Sequence, residues 1–245
     1  NMSNTPQLLP LVWENTDLDS LVDTFERDGI VVLKGMFPQH WVSAADHVAD
    51  RLLTQLDERP WAAGEEYCQR IDIWTKTFGN LESDPDGLAL FENEVIQTVT
   101  NKLLRIGSTA GSIGSWVTSG GCGQAWHQDS WSCAPNLFIL NRIVFTRNYT
   151  PEHGQLLVVP GSHRYGDLPT GDPYGSLPNQ AAFTLSANTA VFLHSRTYHS
   201  VTKNATNEPR IQFNRRVVPN GVPADLTSRA RFRNGTWDFS TQSPW

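Results

Sequence analysis

A mainly β fold, a β-sandwich or jelly roll with α-helices packed on one side, is what this sequence predicts. Three observations carry the prediction. Helical periodicity is confined to roughly the first 110 residues. Beyond Gly111 the chain breaks into short runs rich in β-branched and aromatic residues, separated by Gly, Pro and Asn. And 245 residues with 39% hydrophobic content are enough for one sizeable core. Helices first and a block of strands afterwards is the pattern of an α+β assembly built around a sandwich.

The elements follow in order. From Asp17 to Arg27, the residues Leu18, Leu21, Val22 and Phe25 fall at i, i+3, i+4 and i+7, an amphipathic helix with Thr16 or Asp17 as its cap. Gly29 releases the chain into "IVVLKG", read as a buried strand. After Pro38 a second helix is expected, its stripe made by Ala45, Val48, Ala49, Leu52, Leu53 and Leu56. Residues 57–90 mix charge, Gly, Pro and aromatics without a period, which suggests a functional lid. A third helix is expected from about Leu88 to Leu104. The strands are then read in "SIGSWVTS", "NLFILNRIVFT", "GQLLVVP", "AAFTLS", "TAVFLHS" and "RIQFNRRVV". This predicts a single domain over residues 2–245: a helical part at about 15–110, a β core at about 111–220 and a C-terminal extension at 221–245.

Composition narrows the function. A net charge of −6 with no basic run argues against a nucleic-acid or anionic-membrane partner, and leaves small molecules as the default ligands. The first thirty residues show neither a basic nor an apolar leader region, and no window approaches the length of a spanning helix, so a cytoplasmic protein is expected. Cys68, Cys122 and Cys133 make neither an even set nor a Cys-x-x-Cys pair, as suits reduced thiols.

The chemistry concentrates in "AWHQDSW". In an extended strand, residues i and i+2 share a face, so His127 and Asp129 point one way and Gln128 the other. An imidazole and a carboxylate converging on one point are two ligands for a divalent metal. A second histidine would complete the two-histidine, one-carboxylate facial set that leaves positions open for co-substrate and O2. His153, His163, His194 and His199 are the candidates. Only His199 has a suitable companion: if "KNATNEP" is a hairpin turn centred on Ala205, Arg210 lies opposite it in one pocket. A guanidinium there can hold the distal carboxylate of a metal-chelating keto-diacid.

The strings "HQD", "GQLLVVPGSHRYG" and "FLHSRTYHSVTKNATNEPRIQF", with the opening "FERDGIVVLKGMFPQHWVSAADHV", resemble the phytanoyl-CoA dioxygenase family of Fe(II)- and 2-oxoglutarate-dependent oxygenases. The motifs stand in the family's order and span most of the chain. The resemblance implies a double-stranded β-helix (jelly roll, cupin-like) with N-terminal helices buttressing one sheet. It implies Fe(II) held by His127, Asp129 and His199, with 2-oxoglutarate as co-substrate and O2 as oxidant. Arg210 would take the distal carboxylate, and Gln124, three residues before the first ligand, would contact 2-oxoglutarate. The chain departs from relatives at Leu156, where many place a threonine, and at Val201, where some place a serine. The reaction implied is oxidation of a substrate C–H bond, ending in hydroxylation, cyclisation, epimerisation or desaturation. A small free metabolite of a specialised pathway suits the absence of a basic cluster for coenzyme A phosphates. The presence of Asp129 argues against halogenation.

Simpler readings stand beside these. His163 is expected to hold a turn, His153 to sit on a loop and His194 to pack in or beside the core. Trp131 and Trp74 are placed to stack a planar or apolar substrate, although buried packing explains them equally simply. Arg142, Arg147, Arg215 and Arg216 are solvated or paired charges by default, with Arg142 or Arg215 available to an anionic substrate. A cupin-like metal-dependent isomerase or lyase and a noncatalytic jelly-roll binding module are the alternatives. The oligomeric state, monomer or homodimer, is left open.

Overall fold

The structure is a computed structural model, which describes residues 4–56, 69–72, 85–118, 123–130, 137–169, 171–172, 174–221, 228–233 and 236–241. Two β-sheets face one another. A seven-stranded sheet runs in the order β1 (Leu11–Val12), β2 (Ile30–Lys34), β9 (Thr189–His194), β6 (Leu140–Phe145), β11 (Arg210–Pro219), β4 (Ser108–Thr118) and β3 (Gln69–Asp72). A four-stranded sheet runs β5 (Gln124–His127), β10 (His199–Val201), β7 (Leu156–Val158) and β8 (Ala181–Phe183). A separate hairpin, β12 (Ser228–Arg233) with β13 (Thr236–Thr241), lies in the expected C-terminal extension. The pairing is antiparallel except at the β1–β2 edge. This is the jelly roll that the sequence predicts.

The helices cover the outer face of the larger sheet. Helix α1 (Leu18–Asp28) starts at Asp17, whose carboxylate accepts from the backbone N–H groups of Asp19 and Ser20, and buries Leu21 and Phe25. Helix α2 (Gln39–Leu56) buries Val42, Ala45, Val48, Ala49 and Leu52, in the expected stripe. The third expected helix is two: α3 (Pro85–Ala89) and α4 (Glu94–Leu104). Asn93 makes the break, because its side chain accepts from the Ile96 N–H at 2.9 Å and donates to the Ala89 carbonyl at 2.7 Å, capping one helix while tying off the other. Part of the 57–90 segment is regular, since β3 pairs with β4 at the sheet edge. The remainder of 57–84 lies outside the described residues, and with it the expected lid, Trp74 and Cys68; Cys122, Trp131 and Cys133 also lie outside.

Strand alternation sorts the core into layers. Leu140, Val144, Ala190, Phe192, Ile211 and Phe213 pack outwards against the helices. Ile143, Phe145, Val191, Leu193, Leu156 and Val158 fill the space between the sheets. Outside the smaller sheet, Trp126, Leu157, Val159 and Tyr198 are covered by Leu168 and Leu177. Each fully buried Leu, Phe or Val contributes about 1.5–3 kcal/mol. The inner layer gives way to polar residues at Asn141, Asn214 and Arg216, and that end of the barrel holds the site.

Candidate metal centre

The register of the two sheets brings three side chains together. His127 ends β5 and stands opposite His199, the first residue of β10. Their rings lie 4.0 Å apart between centroids. Asp129 is in a bend just past β5, so the extended i, i+2 geometry expected from the sequence stops at His127. The carboxylate still arrives because its backbone N–H donates to the Ser195 carbonyl at 2.7 Å. Gln128 points away as expected: its side chain donates to the Arg196 and Gly166 carbonyls and accepts from the Leu168 N–H.

One ligand atom from each of His127, Asp129 and His199 lies within 4.8 Å of the other two, and all three residues are buried. The His127 Nε2 is 3.7 Å from Asp129 Oδ1, and the His199 Nε2 is 3.5 Å from Asp129 Oδ2. Both rings are oriented by one device. Nδ1 of His127 meets the Ala125 carbonyl at 2.8 Å, and Nδ1 of His199 meets the Thr197 carbonyl at 2.8 Å. Each Nδ1 is thereby the donor, and each Nε2 turns an unprotonated lone pair to the centre. Burial first, and the neighbouring His199 second, push His127 down to about 3, so it is neutral at physiological pH. Burial of Asp129 acts to raise its pKa. The Arg216 guanidinium, the two histidines and Asn141 outweigh it and hold the carboxyl well below the usual range. Two imidazoles and one carboxylate converging in this way are a group that could hold a first-row divalent metal. Bonds of about 2.1 Å at right angles place neighbouring ligand atoms about 3 Å apart, so the two histidine–carboxylate distances are within an ångström of what an ion would need.

Two residues in contact with Asp129 are not singled out by the sequence reading. Asn141 on β6 donates to Oδ2 at 2.6 Å, and Arg216 on β11 donates through Nη2 to Oδ1 at 2.9 Å. Arg216 Nε also donates to the Asn141 side-chain oxygen at 2.8 Å, closing the triangle. A polar residue inside the buried run "LNRIVF" is the one sequence signal by which Asn141 could have been found. Two other arginines, Arg142 and Arg215, do not face this site. Arg142 sits on the helix side of β6, against Thr100 of α4 and the ring of Phe91, and Arg215 pairs with Glu92. An anionic substrate at the metal would therefore meet Arg216, and the expectation for Arg142 and Arg215 is corrected by strand alternation.

Arg210 opens β11, is 2% exposed and stacks over the ring of Phe145 at 5.0 Å, which places it inside the barrel. Its route there differs from the expected hairpin. β10 belongs to the smaller sheet and β11 to the larger, so the segment after His199 is a crossover between sheets. Gln124 pairs with Val201 while His127 pairs with His199, which sets three steps on β5 against two on β10. That bulge cancels alternation and gives Gln124 the face of Val201, itself registered with inward-facing Leu156. Leu156 and Val201, the two departures from the relatives, are thus neighbours across one pair of strands.

The remaining histidines fall as expected. His153 lies in a loop turn and reaches Glu208, and His194 packs in the core against Phe138, with ring centroids 4.2 Å apart. His163 is in the turn Ser162–Arg164, its ring beside that of His194 with centroids 4.9 Å apart.

A jelly roll with a buried two-histidine, one-carboxylate centre defines a class, the mononuclear non-haem metal oxygenases. The phytanoyl-CoA dioxygenase (PhyH) family model matches residues 25–212, and this chain belongs to that family. It is an Fe(II)- and 2-oxoglutarate-dependent dioxygenase, with O2 as the other co-substrate. Among characterised proteins it is similar to Dioxygenase FUM3 of Gibberella moniliformis, 22% identical over 217 residues, which covers 81% of this chain and 71% of the relative. Among solved structures it resembles the epimerase SnoN in complex with Fe3+, alpha ketoglutarate and nogalamycin RO. That match has 21% identity and a TM-score of 0.66, covering 90% of this chain and 94% of the other. It also resembles the non-heme alpha ketoglutarate dependent carbocyclase SnoK from nogalamycin biosynthesis, with 19% identity and a TM-score of 0.66, covering 86% and 87%. Among the described residues, no helix is long and apolar enough to cross a membrane.

Proposed function

We propose that this enzyme oxidises a C–H bond of a small metabolite of a specialised biosynthetic pathway, with His127, Asp129 and His199 as the metal ligands. The observation that carries the assignment is the convergence of three buried donor atoms with both imidazole tautomers set towards one point. When bound, iron supplies a redox centre at which 2-oxoglutarate and O2 react together. Arg210, inside the barrel, holds the distal carboxylate of 2-oxoglutarate, and Gln124 lies on the face from which it can contact the same molecule. In the hydroxylation outcome, substrate, 2-oxoglutarate and O2 become hydroxylated product, succinate and CO2. Cyclisation and epimerisation are further outcomes of the same C–H oxidation, and the likeness to the epimerase SnoN and the carbocyclase SnoK supports including them. Trp131 and Trp74 remain candidate substrate contacts outside the described residues.

The test is an anaerobic titration of metal-free protein with Fe(II) and 2-oxoglutarate, following the visible charge-transfer band of the chelate. The parent develops the band and His199→Ala does not. Arg210→Ala requires on the order of thirtyfold or more additional 2-oxoglutarate, the cost of truncating one partner of a buried charge pair. Iron binding without the band would instead favour a metal-dependent isomerase, lyase or binding module.

A further inference from the structure

We propose that Arg216 couples metal binding to co-substrate binding, so that the site holds a divalent ion weakly alone and tightly once 2-oxoglutarate is present. The proposal rests on the assignment of His127, Asp129 and His199 as ligands. Its basis is charge. Among the described residues the centre contains one carboxylate, Asp129, and Arg216 is already in contact with it at 2.9 Å. The guanidinium stays charged at any physiological pH. An incoming dication therefore meets a carboxylate whose charge is offset and an arginine that repels it.

The position of Arg216 is built. Phe213 and Val217 pack on the helix side of β11, and Arg215 reaches Glu92 on that side. Alternation then gives Asn214 and Arg216 to the barrel interior, where both meet Asn141. Opposite this point the β4–β11 register shifts, with Arg215 paired to Ile113 and Val217 to Ala110. Arg216 has two fixed acceptors, Asn141 Oδ1 through Nε and Asp129 Oδ1 through Nη2, and its side chain is only 15% exposed. The cation is thus tied beside the carboxylate by two hydrogen bonds in a largely buried position.

The other end of β11 carries a second fixed cation. Arg210 and Arg216 lie on the same inner face, six residues apart, and Arg216 reaches Asp129. A dication added to Asp129 and these two arginines gives the four groups a net charge of +3. Binding of dianionic 2-oxoglutarate brings it to +1. Replacing Arg216 by a neutral residue lowers each total by one, and the relief is greatest for the state that has metal without co-substrate. Asp129 also loses a competitor. Even at an effective dielectric near 20, interactions between charges a few ångströms apart in a buried site are more than large enough to change affinity by about tenfold to a hundredfold.

Calorimetric titration with Co(II) reads this without turnover, in the absence and presence of saturating N-oxalylglycine, an unreactive analogue of 2-oxoglutarate. In the parent, the analogue tightens Co(II) binding. In Arg216→Met, Co(II) alone binds on the order of tenfold more tightly than to the parent, and the tightening by the analogue shrinks by a similar factor. Arg216→Lys keeps a charge at the site and retains most of the coupling, and both variants are compared with the parent for thermal stability. Equal weakening of Co(II) binding with and without the analogue in Arg216→Met would mean that the arginine only orients Asp129, and would overturn the coupling. Loss of coupling in Arg216→Lys equal to that in Arg216→Met would overturn the charge argument as well. A parent whose Co(II) affinity is unaffected by His199→Ala would overturn the ligand assignment itself, a result separable from either of these.

Discussion

Gly29 is where the helical layer grips the segment that carries His199, and replacing it with alanine tests that connection. It ends α1 in the left-handed region at φ 72°, its N–H donating to the Phe25 carbonyl at 2.7 Å. Its own carbonyl accepts from Thr197 Oγ1 at 2.9 Å and from the His194 N–H at 3.0 Å. A Cβ at this position would stand 2.3 Å from Thr197 Oγ1 and 2.4 Å from His163 Nδ1. Two costs combine: about 1–2 kcal/mol for an L-residue in the left-handed region, and about 1–3 kcal/mol for overpacking a close-packed site. Gly35 separates them, because it has φ 77° with nothing within 4 Å of its added Cβ. Gly35→Ala therefore carries only the backbone cost, and Gly29→Ala carries both. In a domain of this size each kcal/mol lowers Tm by about 2–4 °C, so Gly29→Ala melts well below Gly35→Ala. Because the Thr197 carbonyl holds the His199 ring at 2.8 Å, Gly29→Ala also weakens Co(II) binding, whereas Gly35→Ala does not. The assays are thermal denaturation of the metal-free protein and metal titration. Equal Tm values for the two variants, or unchanged metal affinity in Gly29→Ala, would refute the argument.

Two further outcomes follow from buried charge. His194 is held well below its ordinary pKa by burial and then by His163 and Arg196, and His163 is lowered mainly by burial, while both protonate near 6.5 in the unfolded chain. A depressed folded-state pKa means that stability is complete above pH 6.5 and declines as the pH falls towards the folded value, by about 1.4 kcal/mol per pH unit for each proton taken up on unfolding. His194→Asn retains an acceptor for the Arg196 N–H, now made by His194 Nδ1 at 3.0 Å, and should flatten the denaturation profile between pH 6.5 and 5; identical slopes would rule out His194 as the source. Arg142 is 1% exposed, burial and then Arg215 push it down to about 10, and its Nη2 finds no acceptor among the described residues. Arg142→Met should leave stability within about 1 kcal/mol of the parent or raise it, and a loss above about 2 kcal/mol in urea denaturation would show that its bonds to Thr100 and the Arg215 carbonyl outweigh the desolvation.

What the sequence could convey was local. Asp17 as a cap, the stripes of α1 and α2 and the buried run of β2 all follow from periodicity or spacing within a few residues, and the structure reproduces them. The misreadings arise where tertiary context decides. Period alone runs straight through Asn93, whose side chain closes one helix and opens the next. A turn-rich segment between two strand-like runs looks like a hairpin, yet residues 202–209 carry the chain from one sheet to the other. Asn204 folds that segment on itself by accepting from the Thr206 N–H and donating to the Glu208 carbonyl, and Ala205 is tied to the Glu152 carbonyl. A sandwich corner and a hairpin share turn chemistry, so composition does not separate them. Arg216 was illegible for a similar reason: among several arginines, only the register of β11 against β6 decides which one enters the barrel.

The segment His194–His199 shows why so much of the site depends on backbone. The Ser195 carbonyl receives the Asp129 N–H, the Arg196 carbonyl receives Gln128, and the Thr197 carbonyl receives the His199 ring. The same stretch is anchored from behind, through Ser195 to Ile139 and through Thr197 and His194 to Gly29. Three consecutive carbonyls thus fix the carboxylate, the residue beside it and the second histidine, and none of the side chains involved needs to be a ligand. Substitutions that disturb the anchors at Gly29 or Ile139, or the Thr197 and Ser195 hydroxyls that reach them, act on the placement of Asp129 and His199 together. The arrangement also confines the choice open to evolution at this centre, because Asn141 and Arg216 reach Asp129 with side chains alone and can change without rebuilding the loop.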